Sequence, residues 1–139
     1  MKIVGVAYPI PKRFVNRFFE GGKNVFVKPA TTWKQLEPGM KLYIYQSHED
    51  TGIVGEATIK KITLERDPMK FYERFGDRLF LTREELVEYV KSQARWGSKN
   101  KKKKPWIAIE LENFRRYRRP VKPKRFISVG GQYIKEETK

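Results

Sequence analysis

Residues 112–126 read ENFRRYRRPVKPKRF. Arg115, Arg116, Arg118 and Arg119 are interleaved with Phe114 and Tyr117, and Phe126 closes the stretch. A guanidinium forks onto phosphate oxygens and also stacks on planar rings. An aromatic side chain offers an unpaired base a π-face worth about 1–3 kcal/mol. In an extended segment, a period of two puts Arg116 and Arg118 on one face and Arg115, Tyr117 and Arg119 on the other. The competing account is an edge strand whose charge prevents sheet-to-sheet pairing. Arginine rather than lysine, alternating with rings, favours nucleic-acid contact.

A second basic element precedes it, RWGSKNKKKKPW (95–106). Lys101, Lys102, Lys103 and Lys104 are flexible point charges that would grip a phosphate backbone without reading it, with strong salt dependence. Arg95 adds a cation, and Trp96 a ring that could either stack on a base or pack in the core, whereas Trp106 opens an apolar stretch and reads as core. Residues 91–125 hold 14 Lys and Arg against 2 acidic residues, which is +12 of the chain's net +15. Charge so concentrated points to a polyanionic partner rather than to general solubility.

Other chemistries are narrowed by composition. There is no cysteine and one histidine, His48, so disulfides, Cys/His zinc sites and cysteine nucleophiles are excluded. No cofactor is implied. The apolar runs are far short of the about 20 residues of a membrane span, and the N-terminal segment alternates like a strand rather than like a leader. The expected location is the cytoplasm. Abundant Lys, Arg and Glu without Cys also suits a thermophile's protein.

The elements that must position these residues follow from pattern and punctuation. KIVGVAYP (2–9) reads as a strand and PKRFVNRFFEGG (11–22) as a helix burying Phe14, Val15 and Phe18. NVFVKPA (24–30) is a short strand and 31–40 a loop. KLYIYQS (41–47) and IVGEATIKKITLE (53–65) form a hairpin in which Gly55 marks a bulge or a close backbone approach. Two helices follow, over 67–77 with an Asp67-Pro68 start and over 82–97 with a Thr82–Glu85 capping box. Leu86, Val90 and Ala94 lie four apart on the inner face of the second. A strand over 105–114, the basic segment, a short strand at 126–129 and a Gly-Gly turn complete the chain. This order predicts an α+β domain over 1–134, a small mixed, mostly antiparallel β-barrel with two to three helices packed at its side and a polar tail at 135–139.

EPGMKLYIYQSHEDTGIVGEATIKKI (37–62) resembles the PUA-like superfamily pattern, in which a Pro-Gly turn, a strand ending in Tyr-x-Ser and a turn lead into a Gly-containing strand. PWIAIELENFRRYRRPV (105–121) is similar to the later strand of that fold. The resemblance covers roughly residues 2–130, and within the superfamily it is nearest the ASCH branch and small archaeal proteins of that fold. It implies RNA or nucleotide binding in a cleft between barrel and helices. Lys23, Lys28, Trp33, Tyr45, Ser47 and His48 would line that cleft. ASCH proteins carry a G-x-K-x-x-E-x-R motif, here GGKNVFVK (21–28). Gly21 and Lys23 match, but Phe26 replaces the acid and Lys28 the arginine. Some ASCH relatives hydrolyse modified cytidine or RNA with a lysine and an acidic partner. If Glu56, the strand-borne acid after Gly55, faces Lys23, that pair could do acid/base work; the competing reading is a salt bridge that closes the barrel. The expected function is therefore an RNA-binding module, for which single-stranded DNA or a free nucleotide is a further possible ligand. The alternatives are an ASCH-type hydrolase, or a protein that docks on structured RNA without using a pocket.

Overall fold

A computed structural model describes residues 2–47, 50–96, 105–123 and 127–136, without the side chains of 94–96. In chain order it contains β1 (Ile3–Pro11), α1 (Lys12–Phe19), β2 (Val25–Pro29), β3 (Lys41–Ser47), β4 (Gly52–Glu65), α2 (Met69–Phe75), one 3-10 turn (Gly76–Arg78), α3 (Arg83–Trp96), β5 (Trp106–Val121) and β6 (Gln132–Lys135). They form one six-stranded sheet in the order β2-β5-β4-β3-β1-β6. Every neighbouring pair is antiparallel except β1 and β3, which run parallel. A parallel pair needs a crossover, and α1 with β2 supplies it.

The α+β class is as expected, but a closed barrel is not what the backbone forms among the described residues. β2 and β6 are the sheet's two edges. Side chains bring the segments next to those edges together: Lys28 and Thr31, at the end of β2, both donate to the Gly130 carbonyl just ahead of β6.

The inner face follows the alternation in the sequence. On β3, Leu42, Ile44 and Gln46 are buried while Lys41, Tyr43, Tyr45 and Ser47 are half-buried and face outward. α1 lays Phe14, Val15 and Phe18 onto the inner face. Phe18 stacks on Phe80 (5.4 Å) and Phe114 (5.8 Å), and Phe26 meets Phe80 at 5.0 Å. Each such ring contributes about 2–3 kcal/mol by leaving water.

Gly55 shows why a strand interior carries glycine here. The register shifts next to it, and a Cβ at this position would meet the Phe19 ring and come within 2.6 Å of the Arg115 carbonyl oxygen. The ring can turn away, but the backbone oxygen cannot. Gly55→Ala is therefore expected to cost about 1–3 kcal/mol, measurable as a lowered midpoint in urea at unchanged slope.

The capping box at the start of α3 forms as the spacing predicts. Thr82 N donates to Glu85 Oε1 (2.8 Å), and Glu85 N donates to Thr82 Oγ1 (3.1 Å). Arg17 of α1 then binds both Glu85 oxygens (2.5 and 2.9 Å) and the Phe80 carbonyl (2.9 Å), so one carboxylate ties α3 to α1. The Arg17 bond is the main reason the Glu85 carboxyl is held down at about 2, against an ordinary 4.5. Its contribution to stability is thus fully present above about pH 4.5 and is lost as pH falls toward 2. Glu85→Gln is expected to remove about 1–2 kcal/mol at neutral pH, after discounting for partial exposure. The same substitution should flatten the acid limb of the stability–pH curve, which urea melts at several pH values would show.

Two boundaries differ from the sequence pattern. β5 continues through the basic segment to Val121 rather than ending near residue 114. The last strand is Gln132–Lys135; of the strand expected at 126–129, residues 127–129 do not join the sheet and Phe126 lies outside the described residues. Ile127 is buried without joining the sheet, and Ser128–Gly131 makes a turn closed by Gly131 N to Ser128 O (3.0 Å). Gly131, at φ +107°, lies so close to Tyr8 that a Cβ would fall 2.5 Å from its ring, so this turn fixes where pairing with β1 begins.

Candidate nucleic-acid interface

β5 presents its arginines on two faces, as a period of two requires. Arg116 turns toward α1, donating to Asn16 Oδ1 (2.8 Å), lying 3.7 Å from Glu20 and sitting 5.3 Å over the Phe19 ring. Arg115 pairs across the sheet with Glu56 and lies 6.0 Å from the Tyr117 ring on the opposite, outward face. Arg118 and Arg119 are exposed and have no hydrogen-bond, ionic or ring partner among the described residues. Beyond Arg116 the ladder resumes only at Val121, opposite Ile53, so the intervening residues arc away from β4. Two unpaired guanidinium groups thus stand on backbone that has left the ladder.

Glu56 occupies the middle of the outward face. It accepts a bond from Tyr117 Oη (2.7 Å) and lies 3.2 Å from Lys41 Nζ, which also donates to Thr58. Burial pushes this carboxyl up, but the Tyr117 and Lys41 bonds outweigh it and leave it below the ordinary carboxylate range. Burial, the Glu56 bond and its charge raise the Tyr117 phenol in turn. Glu56 is therefore ionised and locally neutralised. Tyr43, opposite Glu56 on β3, and Tyr45 project on the same face.

Lys23 is elsewhere. Its ammonium donates to the Asp77 carbonyl (2.6 Å). It lines an open depression of about 500 Å³ shared with Arg17, Tyr72, Phe80, Thr82 and Arg83. Lys23 and Glu56 make no ion pair, each being bonded to other groups.

Lys28 is only 5% exposed. Its ammonium faces Thr31 Oγ1 (2.5 Å) and the carbonyl oxygens of Thr31 (3.1 Å), Gly130 (3.1 Å) and Pro29 (3.2 Å), 4.4 Å from the centre of the Tyr8 ring. Tyr8, its phenol raised by burial and by Tyr133, donates to the Thr32 carbonyl (2.7 Å) and holds the same loop. Trp33, next in that loop, is half-buried against the core.

The residues expected to share one cleft are therefore distributed. Lys23 lies at the helical side, Lys28 and Trp33 at the β2–β3 loop, and Tyr45 and Ser47 on the outward face with Arg115. α3 reaches Trp96, but the side chains of Arg95 and Trp96, with His48 and Lys101–Lys104, lie outside the described residues. Pattern reading missed Tyr43 and Lys41 as neighbours of Glu56, although hairpin register pairs Tyr43 with that acid. It also missed Thr31, Tyr8 and Gly130 around Lys28. The one local hint was that Lys28 ends a run whose other members, Val25, Phe26 and Val27, are all apolar.

Among solved structures, the ASCH protein of Zymomonas mobilis superposes with a TM-score of 0.75 at 13% identity, over 96% of this chain and 89% of that one. A variant of the same protein gives 0.77 at 14% identity. The hypothetical protein PH0355 gives 0.59 at 16% identity over 78% of this chain and 97% of its own. These likenesses give an ASCH-like, PUA-like fold. By sequence, an uncharacterized protein of Methanocaldococcus jannaschii, MJECS03, is 48% identical over 99 residues, which is 70% of this chain and 92% of that protein. Residues 3–136 match the family described as Domain of unknown function (DUF365), and the chain is a member of that family.

Proposed function

We propose that this protein binds RNA, with the phosphate backbone held along the C-terminal half of β5. One observation carries the reading: Arg118 and Arg119 are exposed and without partners among the described residues, on the strand that continues the most basic part of the chain. Guanidinium groups left unpaired by their own protein are available to phosphate without first breaking an internal bond. The ASCH-like fold supports the reading, as does the +12 carried by residues 91–125, where the lysine run would add on-rate and unselective grip. The depression around Lys23 is where a nucleotide would sit if one is recognised individually. Titrating a fluorescent single-stranded RNA with the protein across a salt series tests the function. Binding whose logarithm falls linearly with log salt is expected, and absence of binding at about 50 mM salt would overturn the reading.

A hydrolase is the second reading, and the contact between Lys28 and Thr31 Oγ1 favours it. A buried lysine against a hydroxyl is the arrangement of an activated nucleophile. Four oxygens around one amine, however, favour the ammonium, and the Thr31 hydroxyl already donates to Gly130 (3.0 Å). An ammonium cannot accept the proton that attack would release, so RNA binding is the better-supported function. Hydrolysis of an amide-modified cytidine that disappears in Thr31→Val would reverse this order.

A further inference from the structure

The outward face of the sheet carries aromatic and cationic groups that the β5 arginines alone do not account for. Cross-strand register aligns Tyr43, Glu56 and Arg115 in one row, and Pro9, Tyr45, Ile53 and Val121 in the next. α1 packs on the other side, where Phe19 approaches Gly55 and Phe114. Tyr43 and Tyr45 are half-buried and have no hydrogen bond or ring contact among the described residues. Both are therefore large rings fixed at the backbone with their hydroxyls unclaimed. Val121, in the Tyr45 row, is 52% exposed. The Glu56 charge is offset by the Lys41 ammonium, and Tyr117 donates to the same carboxylate. Among the described residues, Arg115 ends the Tyr43 row and Lys41 lies two positions before Tyr43 on the same face, its charge shared with Glu56.

Resting on the RNA-binding reading above, we propose that this outward face is a stacking platform for single-stranded RNA. Tyr43 and Tyr45 each take one base, and Arg115 and Arg119 flank the backbone. Spacing narrows the ligand. Residues two apart on a strand lie about 6.7 Å from each other, roughly twice the 3.4 Å rise of a stacked nucleic-acid strand. A chain running along β3 must therefore be unstacked for successive bases to find successive rings. A duplex, whose bases stay stacked and inside, cannot use the platform.

The test is titration of a labelled single-stranded RNA of about 10 nucleotides, within the usual span of such sites, against the full chain and four variants. Tyr43→Phe and Tyr45→Phe keep the ring and are expected to bind within about 2-fold of wild type. Tyr43→Leu and Tyr45→Leu keep the bulk but lose the π-face, and are each expected to bind about 5-fold more weakly or worse. Because no charge is removed, the salt slope should not change. Photocrosslinking of 4-thiouridine RNA to the wild-type chain should label the peptide containing Tyr43 and Tyr45, a readout that needs no variant to fold. Leu variants that melt like wild type and bind like it would overturn the platform while leaving RNA binding by the arginines intact. Crosslinks that avoid β3, or equal affinity for a duplex, would do the same. A wild-type chain that binds no RNA would overturn both.

Discussion

Replacing Arg118 and Arg119 together by Ala is expected to weaken binding of single-stranded RNA about 10-fold at physiological salt, and to reduce the log–log salt slope by about 1.4. The slope follows from two phosphate contacts at about 0.7 per contact on a single strand. The choice of these two, and not the whole basic segment, comes from where the charges are already used. Arg116 is committed to Asn16 and Glu20 and covers the Phe19 ring. Removing it would loosen α1 as well as subtract a charge, and a binding loss would be ambiguous. Arg115 faces Glu56 and Tyr117, so its charge is partly spent inside the protein. Arg118 and Arg119 are exposed and make no internal bond among the described residues, so their removal should leave the melting temperature within a degree or two. Anisotropy titrations at several salt concentrations, with a thermal melt of the same sample, separate the two effects. Unchanged affinity and slope in a normally folded double variant would show that the end of β5 does not hold the phosphates.

The same contrast shows how far the sequence could be read. Signals completed within a few residues translated directly into structure. Thr82 and Glu85 formed their reciprocal bonds, Phe14, Val15 and Phe18 entered the core together, and the period of two sent Arg115 and Arg116 to opposite faces. Gly55 was legible as a close approach, but not that Phe19 was the group approaching. What stayed hidden depends on partners distant in sequence. The parallel pairing of β1 with β3 joins strands that α1 and β2 separate along the chain. The last strand lies at 132–135, where Tyr133 and Ile134 pair with β1, while Ile127 is buried without joining the sheet. The capture of Arg116 by α1 joins residues about a hundred positions apart. The candidate site was legible as a set of residue types. Which of them shared a face was not.

Lys28 gives the largest expected effect on stability, because composition alone places a lysine in water and the fold places this one inside. Lys28→Met keeps most of the volume and removes the ammonium. The carbonyls of Pro29, Thr31 and Gly130 and the hydroxyl of Thr31 then lose a donor that they share in a site 5% exposed. Leaving buried acceptors unmet costs about 1–3 kcal/mol each at most, and carbonyls that find water cost less. A loss of about 2–4 kcal/mol is expected, or a fall in melting temperature on the order of 10 °C. The effect should centre on the clasp between the β2 end and the turn before β6, the two margins that the backbone ladder leaves apart. Hydrogen exchange should therefore rise first at Gln132–Lys135 and at Leu36 N, which bonds Trp33 O in the loop that Lys28 anchors, while α3 stays protected. Thr31→Val removes one arm of the clasp and should cost only about 1 kcal/mol. A Lys28→Met protein that melts like wild type would remove the structural role and leave the amine beside Thr31 Oγ1 to be explained by chemistry on a bound substrate.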